Sequence, residues 1–485
     1  MPAPSVVRVL FGTRHLTLSL KSVNYGDMAL DIAAARKRLR VPKQRDVKIA
    51  VRWGIRQGLP AVGMKLGART GDLFARLNSG NDPELVRDPF PVYAQLREQG
   101  DVVPGRYVYT TARYDVVSEL LKSDAYRSGI PDEALPAPLR RALAWSVDPL
   151  AQPFVERPAM IMTNGEEHMR LRRVASRAFT PKAIENLRLR TIEIADELLD
   201  ELEATHRDGS PADLVEEYAN RLPVLVIAEL LGVPPELQQT FLGWGDRILQ
   251  IAAFGVPFRT FLDIEDCLRE MNGWLLGHFD YLRANPGENL LSRMVAASDA
   301  ENLTGQGLSE TELMANAGLL LFAGFETTVN LIGAGALRLL AHPDQAELLR
   351  KEPQRWRNAI DEMLRLDGPA QFTVRYSTEP TQIRGVPVPK LKMVICVLAG
   401  ANRDPDVFPD PDRFDITRPN AKDHLALGAG VHFCLGASLA RMEGEVGLSR
   451  LFDRFPNLAL AGEPTLGDNA ALRGYVHVPA TLGLA

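Results

Sequence analysis

The chain has 485 residues and a net charge of −5, and 46% of its residues are hydrophobic and 24% charged. This composition is typical of globular proteins and excludes a wholly disordered chain. The sequence has no run of 18 apolar residues, and Arg8 and Arg14 interrupt the first apolar stretch, so neither a transmembrane helix nor a secretory signal peptide is predicted. Three cysteines are too few for a disulfide scaffold or a four-thiolate iron–sulfur cluster, and they indicate a reducing, cytoplasmic location.

The first 60 residues differ in charge from the rest of the chain. They hold 12 Lys and Arg against 3 Asp and Glu, a balance of +9, whereas the remainder carries −14. The basic residues Lys48, Arg52 and Arg56 recur every four residues. Val51, Ile55 and Leu59 recur at the same spacing beside them, which predicts an amphipathic helix. Residues 48–60 are therefore a candidate for weak peripheral membrane contact, the alternatives being a solvated helix or a poorly packed leader. Nucleic-acid binding is not expected because the body of the protein is acidic.

The remaining elements follow in chain order. A turn signal at residues 80–83 predicts a boundary between a basic N-terminal extension, residues 1–80, and a main domain, residues 81–485. A strand pair is predicted around residues 102–111, almost continuous helix over 168–366, irregular and strand-like chain over 370–430, and a helix over 435–452. The sequence thus predicts a mainly α, α+β fold with small β-sheets.

One predicted helix, Glu310–Ala341, is apolar on every face in its middle, which is typical of a buried core helix. Ser309 and Glu312 form a capping box at its start. Glu326, Thr327 and Thr328 then place a carboxylate and two hydroxyls in the buried stretch, which is costly unless they are paired or used. The structural alternative is that the hydroxyls bond to carbonyls four residues earlier and that Glu326 forms a salt bridge. The cluster next to Ala323 and Gly324 favours a functional role.

A second predicted helix, residues 356–366, carries Glu362 and Arg365 three residues apart on one face. The same spacing occurs at Glu84/Arg87, Glu167/Arg170, Glu185/Arg188 and Glu347/Arg350, and most such pairs are solvated. Only its place between the apolar helix and the cysteine loop distinguishes the pair.

Cys434 lies between a glycine-rich loop and a predicted helix start, where loop amides and the helix dipole favour a thiolate. Gly428, Gly430 and Gly436 permit turns and the close approach of a flat cofactor, and His432 could reach an anionic edge of it. Cys267 and Cys396 have the surroundings of buried small hydrophobes. The chain has neither a CxxC pair nor HExxH, which argues against zinc.

The loop Gly428-x-Gly430-x-His432-x-Cys434-x-Gly436 resembles the haem-binding loop of the cytochrome P450 family, in its bacterial, actinobacterial or mycobacterial form. Three further motifs precede it in the family's order, and the resemblance covers about residues 82–485. They are Ala323-Gly324-x-Glu326-Thr327-Thr328, Glu362-x-x-Arg365 and Asp412-Arg413-Phe414. Leu427 departs from the pattern, because the family usually has phenylalanine there, and leucine could alter solvent access to the haem sulfur and its redox potential.

The resemblance implies a triangular, mostly helical fold with haem b between the long central helix and the helix after Cys434. Cys434 would be the axial thiolate ligand of the haem iron, and Ala323 and Gly324 would let the central helix pass close to the haem. The propionates would be held by His168, Arg172, Arg375 and His432. Glu326 and Thr327 would deliver protons during dioxygen activation, and Glu362, Arg365 and Arg413 would form a structural ion network.

The resemblance implies a haem-thiolate monooxygenase acting on a lipophilic substrate, namely a lipid, a sterol-like molecule or a polyketide. Two alternatives stay open, a peroxide-driven peroxygenase and a non-catalytic haem-binding or sensor protein, and the Glu326–Thr327 pair argues against both. Electrons from NAD(P)H would come through a separate ferredoxin and ferredoxin reductase, and we expect a monomer. By family position the pocket would draw on residues 145–165, 251–261, 320–323 and 370–374, with residues 252–258 as a lid.

Overall fold

The structure is a computed structural model that describes residues 6–11, 14–19, 44–79, 82–177, 179, 181–233, 237–253, 255–287, 289–302 and 305–484. In chain order its helices are α1 Gln44–Trp53, α2 Leu59–Arg69, α3 Leu73–Asn78, α4 Pro83–Arg87, α5 Phe90–Gln99, α6 Tyr114–Lys122, α7 Ala137–Ser146, α8 Gly165–Ser176, α9 Pro181–Thr205, α10 Arg221–Leu231, α11 Gln238–Ile248, α12 Phe258–Ala284, α13 Leu290–Asn302, α14 Glu310–Ala341, α15 Pro343–Lys351, α16 Trp356–Asp367, α17 Leu398–Ala401 and α18 Ala437–Arg454. A π-helical segment, Gly54–Gly58, joins α1 to α2.

The strands are short. They are β1 Val6–Phe11, β2 Arg14–Ser19, β3 Val103–Pro104, β4 Tyr109–Thr111, β5 Tyr126–Ser128, β6 Ala212–Asp213, β7 Thr373–Ser377, β8 Thr381–Ile383, β9 Val386–Val388, β10 Met393–Cys396, β11 Ala459–Leu460, β12 Thr465–Leu466, β13 Tyr475–His477 and β14 Pro479–Thr481. The largest sheet has the order β3-β4-β10-β7-β5, in which β10 pairs parallel to β4 and antiparallel to β7. The predicted fold class, mainly helical with small sheets, is confirmed.

The chain divides into two compact units, Met1–Val51 and Arg52–Ala485. In the first, β1 and β2 form an antiparallel hairpin that pairs Val6 with Ser19 and Phe11 with Arg14. The boundary therefore lies about 30 residues before the one predicted at residue 80. The turn signal that suggested that boundary includes residues 80 and 81, which are outside the described residues.

Residues 52–80 belong to the larger unit because α2 and α3 contribute to its core. Leu73, Phe74 and Leu77 are buried and pack in one cluster with Tyr93 of α5 and Ile395 of β10. Burial of such side chains stabilises a fold by roughly 1.5–3 kcal/mol each, so α3 is an integral part of the core rather than part of an extension.

Two of the three basic residues in the candidate membrane-contact helix form ion pairs within the larger unit. Arg52 is 7% exposed and its Nε donates to Glu265 Oε1 at 2.7 Å. Arg56 donates to Asp132 Oδ1 at 2.7 Å, and its Nε lies 3.1 Å from Glu156 Oε1. Arg52 and Arg56 therefore do not form a basic membrane-facing surface, because they neutralise carboxylates of the larger unit, and weak membrane contact through residues 48–60 stays a prediction.

Helix α14 spans Glu310–Ala341 as predicted and begins at the predicted capping box. Within the described part of the chain it is the one helix that is long and apolar enough to cross a bilayer, yet 78% of its most apolar window is buried against the rest of the protein. It is therefore a core helix, and its surroundings define the site described next.

Candidate active site

A short strip of the buried helix α14 is uncovered. Ala323 is exposed, and Gly324 and Thr327 are partly exposed, although Phe322 and Phe325 beside them are buried. Residues 323, 324 and 327 lie on one face because a helix turns once every 3.6 residues. Small side chains and open space thus occur together at one place on the core helix, as a flat ligand would require.

The cysteine loop is held in shape by glycines and one backbone bond. Gly428 and Gly430 have φ values of +71° and +69°, and a Cβ on Gly430 would lie 2.6 Å from the Leu121 carbonyl oxygen. The amide of Cys434 donates to the Leu427 carbonyl at 2.9 Å. Helix α18 begins at Ala437 with Gly436 as its N-cap, so Cys434 lies just before the positive end of that helix.

Helices α14 and α18 run in the same direction and pack closely through small residues. A Cβ on Gly444 would lie 2.9 Å from Leu331, and a Cβ on Gly335 would lie 2.7 Å from Leu448. Gly324 and the first residue of α18 each come seven residues, about 10 Å, before the Leu331–Gly444 contact. The uncovered strip and the cysteine loop therefore lie at the same end of this helix pair.

Four basic side chains gather beside the cysteine loop. The imidazole rings of His168 and His432 are 4.1 Å apart, and Arg172 donates to the Phe433 carbonyl at 2.8 Å. Burial lowers the pKa of His432 to about 3, and the three charged neighbours that lower it further are His168, Arg375 and Arg172. This set brings together all four residues predicted to bind propionates.

The basic cluster fits a group with two carboxylates. His168 Nε2 is buried without a hydrogen-bond partner among the described residues. Arg375 is 4% exposed, and its Nη1 donates to Thr373 Oγ1 at 3.3 Å and to the Val374 carbonyl at 3.0 Å, both on its own strand. A buried guanidinium is costly without an anion. The basic residues therefore fit the two propionates of a haem. The cysteine loop and the uncovered strip fit the two faces of the haem ring.

The two threonines of α14 adopt the structural alternative considered above. Thr327 Oγ1 donates to the Ala323 carbonyl at 2.7 Å, and Thr328 Oγ1 donates to the Gly324 carbonyl at 2.9 Å. Their positions differ, because Thr327 borders the uncovered strip whereas Thr328 is 1% exposed and faces α18. Glu326 is partly buried next to Thr327.

Glu362 and Arg365 form the predicted ion pair in full burial, with Arg365 Nε 2.7 Å from Glu362 Oε2 and both side chains 0% exposed. Arg365 also donates to the carbonyls of Asn402 and Arg413. The prediction that the Arg413 side chain joins this network needs correction, because that side chain is 67% exposed and Arg413 accepts from Arg365 through its backbone carbonyl. Arg418, 6% exposed, takes the third charged place, with its Nε 3.1 Å from Glu362 Oε1.

Two residues near the site were missed by sequence reasoning. Arg418 lies five residues beyond the predicted Arg413, and only the fold decides which of the two turns inward. Glu443 of α18 is 2% exposed and hydrogen-bonds Thr328, and burial raises its pKa well above the usual range. A glutamate within a helix that packs closely on α14 was the available signal. Cys267 and Cys396 are buried, as predicted.

A helical fold with this cysteine loop, a basic cluster and an uncovered helix strip defines a haem protein of the thiolate class. Residues 278–465 match the family model described as cytochrome P450. The chain is 41% identical over 436 residues to a putative cytochrome P450 140 of Mycobacterium tuberculosis, covering 89% of this chain and 96% of that relative. It is 39% identical over 409 residues to the vitamin D(3) 25-hydroxylase of Pseudonocardia autotrophica, covering 82% and 94%.

A solved structure, P450BioI in complex with an acyl carrier protein ligated to hexadec-9Z-enoic acid, matches with a TM-score of 0.73 at 30% identity. The match covers 82% of this chain and 99% of the P450BioI chain. The chain belongs to the cytochrome P450 family. It is a monooxygenase that uses haem b, with O2 as co-substrate and NAD(P)H as the indirect electron source.

Proposed function

We propose that this P450 inserts one oxygen atom of O2 into a lipophilic substrate by hydroxylation or epoxidation, with electrons from a separate ferredoxin and ferredoxin reductase. The observation that carries the proposal is the uncovered strip at Ala323, Gly324 and Thr327, level with the loop of Cys434. Such a strip places a hydroxyl and an adjacent carboxylate where the distal face of a bound haem would lie.

In this proposal Cys434 Sγ would ligate the iron, and the loop glycines Gly428 and Gly436 would let the backbone approach the ring. His168, Arg172, Arg375 and His432 would donate to the propionates, which would offset the cost of burying the Arg375 guanidinium. When bound, the haem supplies the redox centre at which dioxygen is reduced and activated. The apolar side chain of Leu427, in place of the usual phenylalanine, would shield the sulfur less completely.

Glu326 and Thr327 move the protons that reduction of dioxygen consumes. Thr327 Oγ1 donates to the Ala323 carbonyl oxygen at 2.7 Å, and the Thr327 side chain is partly exposed on the strip. Thr327 Oγ1 donates toward the strip when it leaves that carbonyl, and the carboxyl of Glu326, one residue away, supplies the replacement proton. General acid–base groups of this kind typically contribute about 10²–10⁴-fold.

The proposed substrate is a lipid, a sterol-like molecule or a polyketide, because the walls beside the strip are apolar. Phe154 lies 5.5 Å from Phe322 of α14, between ring centroids, and both are buried. The names of two relatives agree in chemistry, since one is a vitamin D(3) 25-hydroxylase and the other is bound to a carrier protein that bears a 16-carbon acyl chain.

Turnover with a surrogate ferredoxin, ferredoxin reductase and NADPH tests the proposal, after a screen of lipids, sterols and polyketides for a shift in the haem spin state. We expect product and NADPH oxidation to rise together with a ligand that shifts the spin state. Product formed only with added peroxide would instead indicate a peroxygenase, and ligand binding without turnover under either condition would indicate a haem-binding or sensor protein.

A further inference from the structure

The segment between α1 and α2 makes contacts that its position in the sequence does not suggest. Residues 52–58 include the π-helical segment Gly54–Gly58, and helical irregularities of this kind are frequent at functional sites. Their side chains bond to two distant stretches of the chain, one about 80–100 residues away and the other about 200 residues away.

The first stretch is the connection around helix α7. Arg56 pairs with Asp132 at 2.7 Å and with Glu156 at 3.1 Å. Arg52 donates to the carbonyl of Ser146 and pairs with Glu265 of α12. Arg52 and Arg56 thus attach residues 132–156 to the segment 52–58 at three points.

The second stretch is the turn between α11 and α12. Trp53 Nε1 donates to the Val256 carbonyl at 2.7 Å, and the Trp53 ring lies edge-on to Phe258 at 5.4 Å. Gln57 is 8% exposed, and its Oε1 accepts from the amides of Gly255 at 3.0 Å and Val256 at 3.3 Å. A single side chain therefore caps two successive amides of this turn.

The first stretch, and the helix that leads into the second, contact α14 at residues adjacent to the uncovered strip. Phe154 of the first stretch packs on Phe322, immediately before Ala323. Gly245 of α11 packs closely on Phe325, the residue that follows Gly324. A Cβ on Gly245 would lie 2.5 Å from the Phe325 ring. The first stretch also contacts the helix that follows the second, since Asn272 of α12 donates to the Leu150 carbonyl at 2.9 Å.

We propose that residues 52–58 are a clasp that holds residues 132–156 and the Gly255–Val256 turn together over the distal pocket and thereby limits the size of ligand that enters. The inference rests on the proposed placement of the haem against the strip. Opening a path for a bulky ligand separates the two stretches, which breaks the bonds of Trp53 and Gln57 to the turn. A small ligand passes without breaking them.

The test compares two iron-binding probes, imidazole and the bulky triaryl imidazole clotrimazole, with the ferric holoenzyme in stopped-flow absorbance. Gln57→Ala removes both bonds to the turn, and Trp53→Phe removes one donor while it keeps the ring contact. Gln95→Ala, an exposed glutamine of α5, is the matched control. We expect Gln57→Ala to raise the association rate of clotrimazole by about tenfold and that of imidazole by less than about twofold.

A second measurement does not depend on the haem. Hydrogen exchange of the Gly255 and Val256 amides should become faster in Gln57→Ala and stay unchanged in Gln95→Ala. Equal acceleration of both probes, unchanged clotrimazole entry, or unchanged protection of these amides would overturn the proposal. Because binding of the probes needs neither electrons nor turnover, failure of the clasp is distinguishable from failure of the proposed monooxygenase function.

Discussion

Cys434 differs from the other two cysteines in what surrounds its sulfur. Burial raises the pKa of the Cys267 thiol to about 11 and of the Cys396 thiol to about 12. Burial also raises the pKa of the Cys434 thiol, and at each of the three cysteines an arginine opposes the shift without reversing it: Arg172 at Cys434, Arg247 at Cys267 and Arg375 at Cys396. Cys434 is set apart by its position, because it is partly exposed in the loop just before the N-terminus of α18, whereas Cys267 and Cys396 are buried; a thiolate is the form that binds iron.

Cys434→Ser should abolish the red-shifted absorbance band of the reduced carbon monoxide complex that a thiolate ligand produces. Cys267→Ser and Cys396→Ser are the matched controls and should retain it, because both side chains are buried and neither belongs to the cysteine loop. A retained band in Cys434→Ser would disprove the ligand assignment.

Thr327→Ala should separate electron consumption from product formation. The variant keeps the helix, because Thr327 bonds only to its own Ala323 carbonyl. Without the hydroxyl, protons reach reduced dioxygen at the wrong oxygen and hydrogen peroxide is released. Product formation should fall by about 10²-fold or more, while NADPH oxidation falls much less. The ratio of product to NADPH is the measurement.

Three further variants accompany this experiment. Thr327→Ser keeps the hydroxyl and should stay coupled, whereas Glu326→Gln should slow both reactions because it interrupts the proton supply. Thr328→Ala should stay coupled as well, since that hydroxyl faces α18. A fully coupled Thr327→Ala enzyme would remove Glu326 and Thr327 from the proton path.

At the scale of elements, α14 and α18 are joined by a buried acid. The hydroxyl proton of Thr328 points to the Gly324 carbonyl at 2.9 Å, so its oxygen accepts from the protonated carboxyl of Glu443. Burial raises the pKa of Glu443 well above its usual range, and the acid is accordingly neutral in the folded protein. The contact couples the cysteine helix to the carbonyl of the uncovered strip.

This pairing predicts a dependence of stability on pH. The folded protein keeps the Glu443 proton, whereas the unfolded chain releases it above about pH 4.5. The stability that Glu443 contributes is therefore complete below that pH and is lost as pH rises toward the pKa of Glu443 in the folded state. Glu443→Gln is neutral at every pH and should gain in Tm relative to the wild type from pH 5 to pH 9. Parallel Tm curves would contradict the assignment.

The elements that local sequence determines were predictable. The limits of α14 follow from its capping box and its apolar run, and the Glu362–Arg365 pair follows from helical spacing. The inward turn of Arg418 and the burial of Arg52 depend on partners 56 and 213 residues away. A basic residue beside apolar ones has the same local pattern whether it faces a membrane or an internal carboxylate.

At the scale of the whole molecule, the larger unit begins where the charged extension was expected to continue. Arg52, Phe74 and Leu77 are all at most 7% exposed, and the last two pack against Tyr93 and Ile395 of the main sheet region. The excess positive charge of the first 60 residues therefore does not coincide with a structural division, since part of it neutralises Glu265 and Asp132.

Two truncations should consequently behave differently. Deletion of residues 1–47 removes most of the Met1–Val51 unit and keeps every residue of the Arg52–Ala485 unit, so haem incorporation and the carbon monoxide band should be retained. Deletion of residues 1–80 also removes Leu73, Phe74 and Leu77 from the core. Loss of each such side chain costs roughly 2–5 kcal/mol, and the sum reaches the roughly 5–15 kcal/mol that stabilises a typical domain.

The shorter deletion is thus expected to give soluble holoprotein with a Tm close to that of the full chain, and the longer one insoluble protein without haem. The measurements are the soluble yield, the haem absorbance per protein and the Tm. Soluble, haem-loaded protein after deletion of residues 1–80 would restore the boundary predicted from the sequence. Insoluble protein after deletion of residues 1–47 would show that the Met1–Val51 unit is needed for folding, because the Arg52–Ala485 unit is intact in that variant.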